Sequence, residues 1–425
     1  MFRWCYTFLV YVIFLPLALL KLFWRSKQNK AYRQGIAERF GFISVPNGSP
    51  IIWIHAVSVG ETIAIRPLIE ALLQKYPSYQ ILLTNGTMTG RLRAEALFGN
   101  RLLYSYAPYD VPQVIKRFLS RVKPVLVLIM ETELWLNWMH VLKSQHIPVM
   151  LVNGRLSERS YRSYQRFERL FKPAWQAFTL IAAQGEPDAK RYGLLGIEPE
   201  HIHVAGNLKY NFTLPPALIA DIVAWRQVIT APQVWLAAST HETEEQKLLT
   251  VFKALKKQYP DMLWILVPRH PERVDEVKKL CAAEGWSVVL RSEHAVTSQQ
   301  AIAADILLVD TMGELPLFYA LADVAFVAGS LVSNKGGHNI LEAAAVGTPI
   351  TVGPSMFNFA TILSAFKDAH AIIQCQDLAD LTQQTLNLFS DKILREQLSV
   401  NARACFEQNQ ESLPKHLALI ETILK

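Results

Sequence analysis

Gly336-Gly337-His338-Asn339-Ile340-Leu341-Glu342 runs directly into Ala343-Ala344-Ala345-Val346-Gly347-Thr348-Pro349. An apolar run, Val324–Ala328, precedes this stretch and closes on Gly329-Ser330; a second run, Pro349–Val352, follows it. The pattern is strand, glycine-rich loop, small-residue helix, strand. Paired glycines let backbone N–H groups approach an anion closely, and a helix N-terminus behind them favours negative charge. Glu342, about one turn into that helix, is placed to hold a ribose hydroxyl. The unit is what an α/β nucleotide-binding domain uses, and it points to a bound sugar nucleotide.

Working outward, strand-like runs alternate with helical stretches along the chain. The first series is Ile51–Val57, Gln80–Thr84, Val125–Met130, Pro148–Val152, Leu180–Ala183 and His203–Ala205. The second is Val234–Ala238, Trp264–Val267, Ser287–Leu290, Ile306–Val309, Val324–Ala328, Pro349–Val352 and Ala371–Gln374. Several are wholly apolar, as parallel strands covered on both faces are. Amphipathic helices such as Glu61–Lys75 and Glu244–Gln258 lie between them, which predicts doubly wound parallel sheets. Pro215-Pro216 and Ala231-Pro232 punctuate a break near Asn211–Ala231. The expected architecture is therefore α/β, with two Rossmann-like domains facing a central cleft, at 35–215 and 216–425, behind an N-terminal membrane anchor and basic flank at 1–34. In such sheets ligands bind outside the carboxyl ends of strands.

The 425 residues leave room for two full cores, and 51% hydrophobic with 19% charged residues describes an ordered chain. A net charge of +7 suits an acidic ligand or an anionic membrane. No zinc-finger, basic-helix or RNA-binding signature accompanies it, so nucleic acid is not expected. Cys5, Cys281, Cys375 and Cys405 are widely spaced and form no metal or disulfide pattern. From Phe2 to Trp24 the chain is apolar and aromatic apart from Arg3 and Lys21, near the length a membrane span requires. Arg25, Lys27, Lys30, Arg33 and Arg39 follow, which predicts a cytoplasmic body and an external N-terminus. Leu20–Arg25 offers no small-residue cleavage site, so an uncleaved anchor is expected. Trp4, Tyr6, Tyr11 and Trp24 equally suit a helix lying in the interface.

Polar motifs sit at the strand ends. Glu61, in Ser58-Val59-Gly60-Glu61, reads as a general base or as a cap partner in a first helical turn. Glu131, in Met130-Glu131-Thr132-Glu133-Leu134-Trp135, follows a very apolar strand and reads as a holder of a substrate hydroxyl or a catalytic cation, or as a helix-start carboxylate; Glu133 reads as a helix-start carboxylate. Lys209, in Gly206-Asn207-Leu208-Lys209, is an anion-stabilising charge or a surface lysine. Arg269 and His270 follow a second-half strand, where a guanidinium pairs bidentately with phosphate. Ser239–Glu242 and Asp310–Leu315 end neighbouring strands and read as helix starts or as pocket walls. No serine elbow, Walker loop or HExxH occurs, and no DxD-like pair calls for a metal.

Taken together these motifs resemble the 3-deoxy-D-manno-octulosonic acid (Kdo) transferases of bacterial lipopolysaccharide synthesis. The carrying stretches are His55–Glu61, Leu128–Trp135, Gly206–Lys209, Leu266–Arg273, Asp310–Leu315 and Gly336–Glu342. The resemblance implies a GT-B fold, with an acceptor domain first and a donor domain second. It implies transfer of Kdo from CMP-Kdo to a lipid A precursor (lipid IVA) at the cytoplasmic face of the inner membrane, without a metal or other cofactor. It makes Glu61 the catalytic base and assigns Glu131 and Lys209 to transition-state support. Arg269, His270, Met312, Gly313, Glu314, Asn339, Ile340, Leu341 and Glu342 become CMP-Kdo-binding positions. The chain departs from the pattern at Leu136, where many members have proline, and at Asn334-Lys335 before the double glycine. The alternatives are a GT-B enzyme using a UDP-sugar and another lipid acceptor, and a non-catalytic membrane-anchored sugar-nucleotide binding module.

Overall fold

The computed structural model describes residues 2–28, 35–46, 48–211, 214, 216–294 and 301–425. Lys30 and Arg33 of the expected basic flank, and Pro215 at the expected domain boundary, lie outside the described residues.

The chain forms two compact units, Met1–Asn211 with Asn409–Lys425, and Phe212–Gln408. The first is built on β1 (Ile51–His55), β2 (Gln80–Asn85), β3 (Leu103–Tyr106), β4 (Pro124–Met130), β5 (Val149–Gly154), β6 (Leu180–Ala183) and β7 (Ile202–Val204). Their order is β3-β2-β1-β4-β5-β6-β7, and every pairing is parallel. The second unit holds β8 (Val234–Thr240), β9 (Leu263–Pro268), β10 (Val288–Leu290), β11 (Ile306–Leu308), β12 (Val324–Val327), β13 (Ile350–Val352) and β14 (Ile373–Gln374). Its order is β10-β11-β9-β8-β12-β13-β14, again all parallel. The expected two-domain α/β architecture is what the chain adopts. The strand that the sequence reading omits is β3. It lies at a sheet edge, and its residues Leu103-Tyr104-Ser105-Tyr106 mix aromatic and polar side chains in place of an aliphatic run.

Alternation inside the strands explains why both faces need covering. Ile51 and Trp53 of β1 join one core with Val127 and Ile129 of β4. Ile52 and Ile54 join the opposite core with Leu126, Leu128 and Met130. Side chains of successive residues point to opposite faces, so these strands are apolar throughout. Trp53 is fully buried and packs its ring against Phe118 and Trp138.

The expectation that 216–425 forms the second domain needs correcting at its end. Asn409–Lys425 belongs to the first unit. Its helix Ser412–Leu424 packs Leu413, Leu417, Ile420 and Leu424 onto the Ile52/Ile54 core. Ser412 Oγ donates to the Asn207 carbonyl at 3.1 Å. His416 Nε2 accepts from the Asn153 N–H at 3.0 Å, while its Nδ1 faces the Ser412 carbonyl at 2.7 Å. Those two roles require the neutral ring protonated on Nδ1. Burial enforces this by pushing the His416 pKa down to about 4.

Each sheet has one topological switch, between β1 and β4 and between β8 and β12, where the chain leaves neighbouring strands in opposite directions. Ligands favour such points. The N-terminal stretch is helical from Phe2 to Gln28, interrupted by a π turn at Val10–Phe14. Phe2–Trp24 is long and apolar enough to cross a membrane, with mean hydropathy 2.1.

His416→Ala removes the acceptor of a buried N–H and is expected to cost the first unit about 2–3 kcal/mol in denaturant unfolding. Because the native pKa is depressed, the neutral His416 contribution is complete above its ordinary value of 6.5 and declines as pH falls toward about 4. The mutant curve should lack that part of the acid dependence.

Candidate active site

The first switch point gathers carboxylates. Ser58 N-caps the helix Val59–Lys75, and its side chain accepts from the Glu61 N–H at 3.3 Å. Glu61 reaches back: Oε2 accepts from the Val57 N–H at 2.7 Å, and Oε1 accepts from Ser58 Oγ at 2.8 Å. The cap-partner geometry is thus realised, and it holds the carboxylate still at the mouth of β1. Each oxygen takes one of these bonds and keeps a further lone pair. Burial raises the Glu61 pKa above its ordinary value; the bonds from Val57 and Ser58 lower it, and the charge of Glu131 adds to the rise.

Glu131 follows β4 in a left-handed conformation, φ 53°. A non-glycine residue there carries backbone strain of the sort found at working sites. Lys209, next to β7, places Nζ 3.2 Å from Glu131 Oε1, with both side chains about one-quarter exposed. Lys209 is therefore paired rather than a free surface lysine. Its loop is fixed by Asn207, whose side chain accepts from the Lys209 N–H at 3.0 Å.

Glu133 is not a helix-start carboxylate. The next helix begins at Leu136, and its N-cap residue is Trp135. Glu133 instead lies half-buried in the loop, and burial, followed by the charges of Glu61 and Glu131, pushes its pKa up to about 7. Burial of unpaired charge is costly, so coupled acids hold a shared proton more readily than isolated ones. His55, on β1 beneath this cluster, is fully buried, and burial lowers its pKa to about 4. It stays neutral against Thr84.

In the second unit the central constraint is Glu244. Its buried carboxylate accepts from the backbone N–H groups of His241 at 3.0 Å, Gly329 at 2.8 Å and Leu331 at 3.1 Å. It ties the loop after β8 to the loop after β12. His241 and His338 stack, with their Nε2 atoms 2.9 Å apart. Burial, with cationic neighbours including Lys335 and Arg269, pushes their pKa values down to about 4 and about 3. Neither histidine stood out in the sequence beyond the motif that contains it, nor did Glu244. Their significance comes from two loops meeting across the switch point.

The double glycine has two physical reasons. Gly336 and Gly337 take φ of 77° and 74°, and any Cβ would collide with Phe357 and Met356. The following helix, Leu341–Val346, has only 6 residues, so Glu342 lies in its first turn rather than a turn further on. Asn339 Oδ1 already accepts from the Leu341 N–H at 3.2 Å, and its amide donates to Glu342 Oε1 at 3.4 Å. Burial raises the Glu342 pKa, opposed by Asn339 and the charge of Arg269. Ile340 and Leu341 are wholly buried, so their side chains serve the core and only their main chain can face a ligand. Arg269 and His270 are exposed beyond β9. Met312 is 79% exposed. Gly313 has φ 87°, and Glu314 pairs with Arg291 at 2.7 Å.

A family model for 3-deoxy-D-manno-octulosonic-acid transferase (kdotransferase) matches residues 34–212. A 3-deoxy-D-manno-octulosonic acid transferase from Haemophilus influenzae is 37% identical over 429 residues, covering 100% of this chain and 99% of that protein. The chain belongs to the Kdo transferase family. A second member, from Bordetella pertussis, is 35% identical over 400 residues, covering 90% of this chain and 92% of its own. The chain is thus a glycosyltransferase. A solved glycosyltransferase from Rickettsia africae, 16% identical, covers 89% of this Kdo transferase and 100% of its own chain with a TM-score of 0.56, a likeness of fold.

Glu61→Gln removes the charge that, after burial, raises Glu133. The Glu133 pKa is then expected to fall below about 7, read by carboxyl-carbon NMR titration. An unmoved Glu133 titration would mean the two acids are not coupled.

Proposed function

We propose that this Kdo transferase moves Kdo from CMP-Kdo to a lipid A precursor (lipid IVA) at the cytoplasmic face of the bacterial inner membrane. The observation that carries the reading is the Glu61, Glu131 and Lys209 cluster at the switch point of the first sheet. A half-buried carboxylate of raised pKa, fixed by Val57 and Ser58, is suited to general-base work. Glu61 takes the proton of the acceptor hydroxyl as that oxygen bonds to the anomeric carbon of Kdo. The bond from that carbon to the phosphate oxygen breaks, and CMP departs as a phosphate monoester. Glu131 and Lys209 support the developing charge.

The donor half of the reading rests on Arg269, an exposed residue beyond β9 whose charge reaches Glu342. A guanidinium at a strand end can meet a phosphate bidentately. His270, the Met312–Glu314 loop and the Asn339–Glu342 segment complete the proposed CMP-Kdo site. We assign the leaving-group charge to these protein groups and propose a metal-free reaction.

Glu61→Ala is expected to lower transfer at least about 100-fold while CMP binding persists, read by product mass after incubation with CMP-Kdo and tetraacylated lipid A precursor. Near-normal transfer would remove Glu61 from the base role. Arg269→Ala should weaken CMP binding roughly 10- to 100-fold in calorimetry, as loss of a charge-assisted pair implies. Competition by UDP in place of CMP would favour the UDP-sugar alternative.

A further inference from the structure

The polarity of the N-terminal helix is inverted relative to a helix on a water-soluble protein. Arg3, Tyr6 and Thr7 point into the first unit. Tyr6 donates its hydroxyl to Asp110 Oδ2 at 2.7 Å. Thr7 Oγ1 donates to Asn137 Oδ1 at 2.8 Å, and Arg3 reaches the same oxygen at 3.3 Å. The receptor is itself rigid. Buried Asp110 accepts from the backbone N–H groups of Asn137 at 3.3 Å and Trp138 at 2.9 Å, and Asn137 donates its amide to the Asp110 carbonyl at 2.8 Å. Further along, Val10 packs with Val111 and Val114, and Leu15 packs against the same group. The protein-facing stripe runs Arg3, Tyr6, Thr7 and Val10, then Leu15. The step from Val10 to Leu15 falls on the π turn, whose extra residue keeps the stripe on one side. The opposite side carries Trp4, Phe8, Phe14, Leu17, Phe23 and Trp24, all exposed.

Length then decides the mode. With the chain held against the first unit as far as Leu15, Pro16–Trp24 offers only about 14 Å of helix. The hydrocarbon core is about 30 Å thick. We infer that this helix lies along the membrane surface, docked on the first unit by its polar face and sunk into lipid by its apolar face, with its N-terminus on the same side as the catalytic units. The inference rests on the membrane localisation proposed above. The partner is an anionic lipid surface. Lys116 and Arg117, on the helix Pro112–Val122 that carries the Val10 contact, add positive charge beside the docked segment.

The test uses the full chain in bacterial cells, with small epitope tags at both ends. Protease added to intact spheroplasts is expected to spare both tags and to remove both after lysis, with the protein in the membrane fraction. Loss of the N-terminal tag alone from intact spheroplasts would establish a spanning helix and overturn the inference while leaving membrane attachment standing. Recovery of both tags in the soluble fraction would overturn the localisation and the inference together. A second measurement addresses docking itself. Tyr11 hydrogen-bonds Gln113 across the interface. Tyr11→Cys with Gln113→Cys, in a Cys5→Ser background, should cross-link in isolated membranes under mild oxidation. A reactive pair that never cross-links there would also overturn it.

Discussion

An all-parallel sheet has no face that can meet water, and this constraint organises both units. Residues such as Ile52, Trp53, Leu128 and Ile129 are wholly buried because each face carries helices. Polar chemistry is thereby excluded from the strands and driven to their carboxyl ends. The exception on β1, His55, stays neutral and pairs with Thr84. The crossover connections also fix where the chain reverses direction, between β1 and β4 and between β8 and β12. Glu61 and Glu131 flank the first reversal; His241 and the Gly329–Glu342 loop flank the second. The family's signature residues are thus distributed as the topology requires.

At the first reversal, capping and chemistry use the same atoms. The bonds from Val57 and Ser58 favour the ionised form of Glu61, whereas burial and the Glu131 charge oppose it. A carboxylate held only by the cap would be too weak a base near neutrality, and one held only by burial would lack a fixed direction. The opposition of the two effects gives a raised proton affinity and a defined geometry at once. Lys209 offsets part of the local negative charge through Glu131, while burial and the charges of its neighbours push Glu133 up to about 7.

Much of the fold was legible because buried parallel strands leave a simple trace, a short apolar run followed by polar punctuation. All seven strands of the second sheet and six of the first carry that trace. β3 does not, since Leu103-Tyr104-Ser105-Tyr106 mixes aromatic and polar residues in place of an aliphatic run. Proposed site residues were legible where a motif followed a strand directly, as with Glu61, Glu131 and Arg269. Glu133 was misread because helix-start acids are common, and nothing local reveals that the helix waits until Leu136. The histidine pair and Glu244 were hidden for a different reason. Their contacts join residues 85 to 97 positions apart, and one sequence carries no record of which loops meet.

The return of the chain end to the first unit shows how such distant contacts set local geometry. Asn153 sits on β5 with φ 54°, a conformation strained for a residue with a side chain. In that pose its N–H meets His416 from the last helix and its side-chain oxygen accepts from the Leu208 N–H at 2.9 Å. Asn207, held through its carbonyl by Ser412, then caps the turn that carries Lys209. Gly206 must be glycine in this arrangement, for its φ is 86° and a Cβ would press on Ser412. The Gly206-Asn207-Leu208-Lys209 motif therefore encodes a docking surface for the C-terminal helix as well as a lysine. The ion pair to Glu131 depends on both, because a turn left undocked would have the same residues but no fixed direction for the charge.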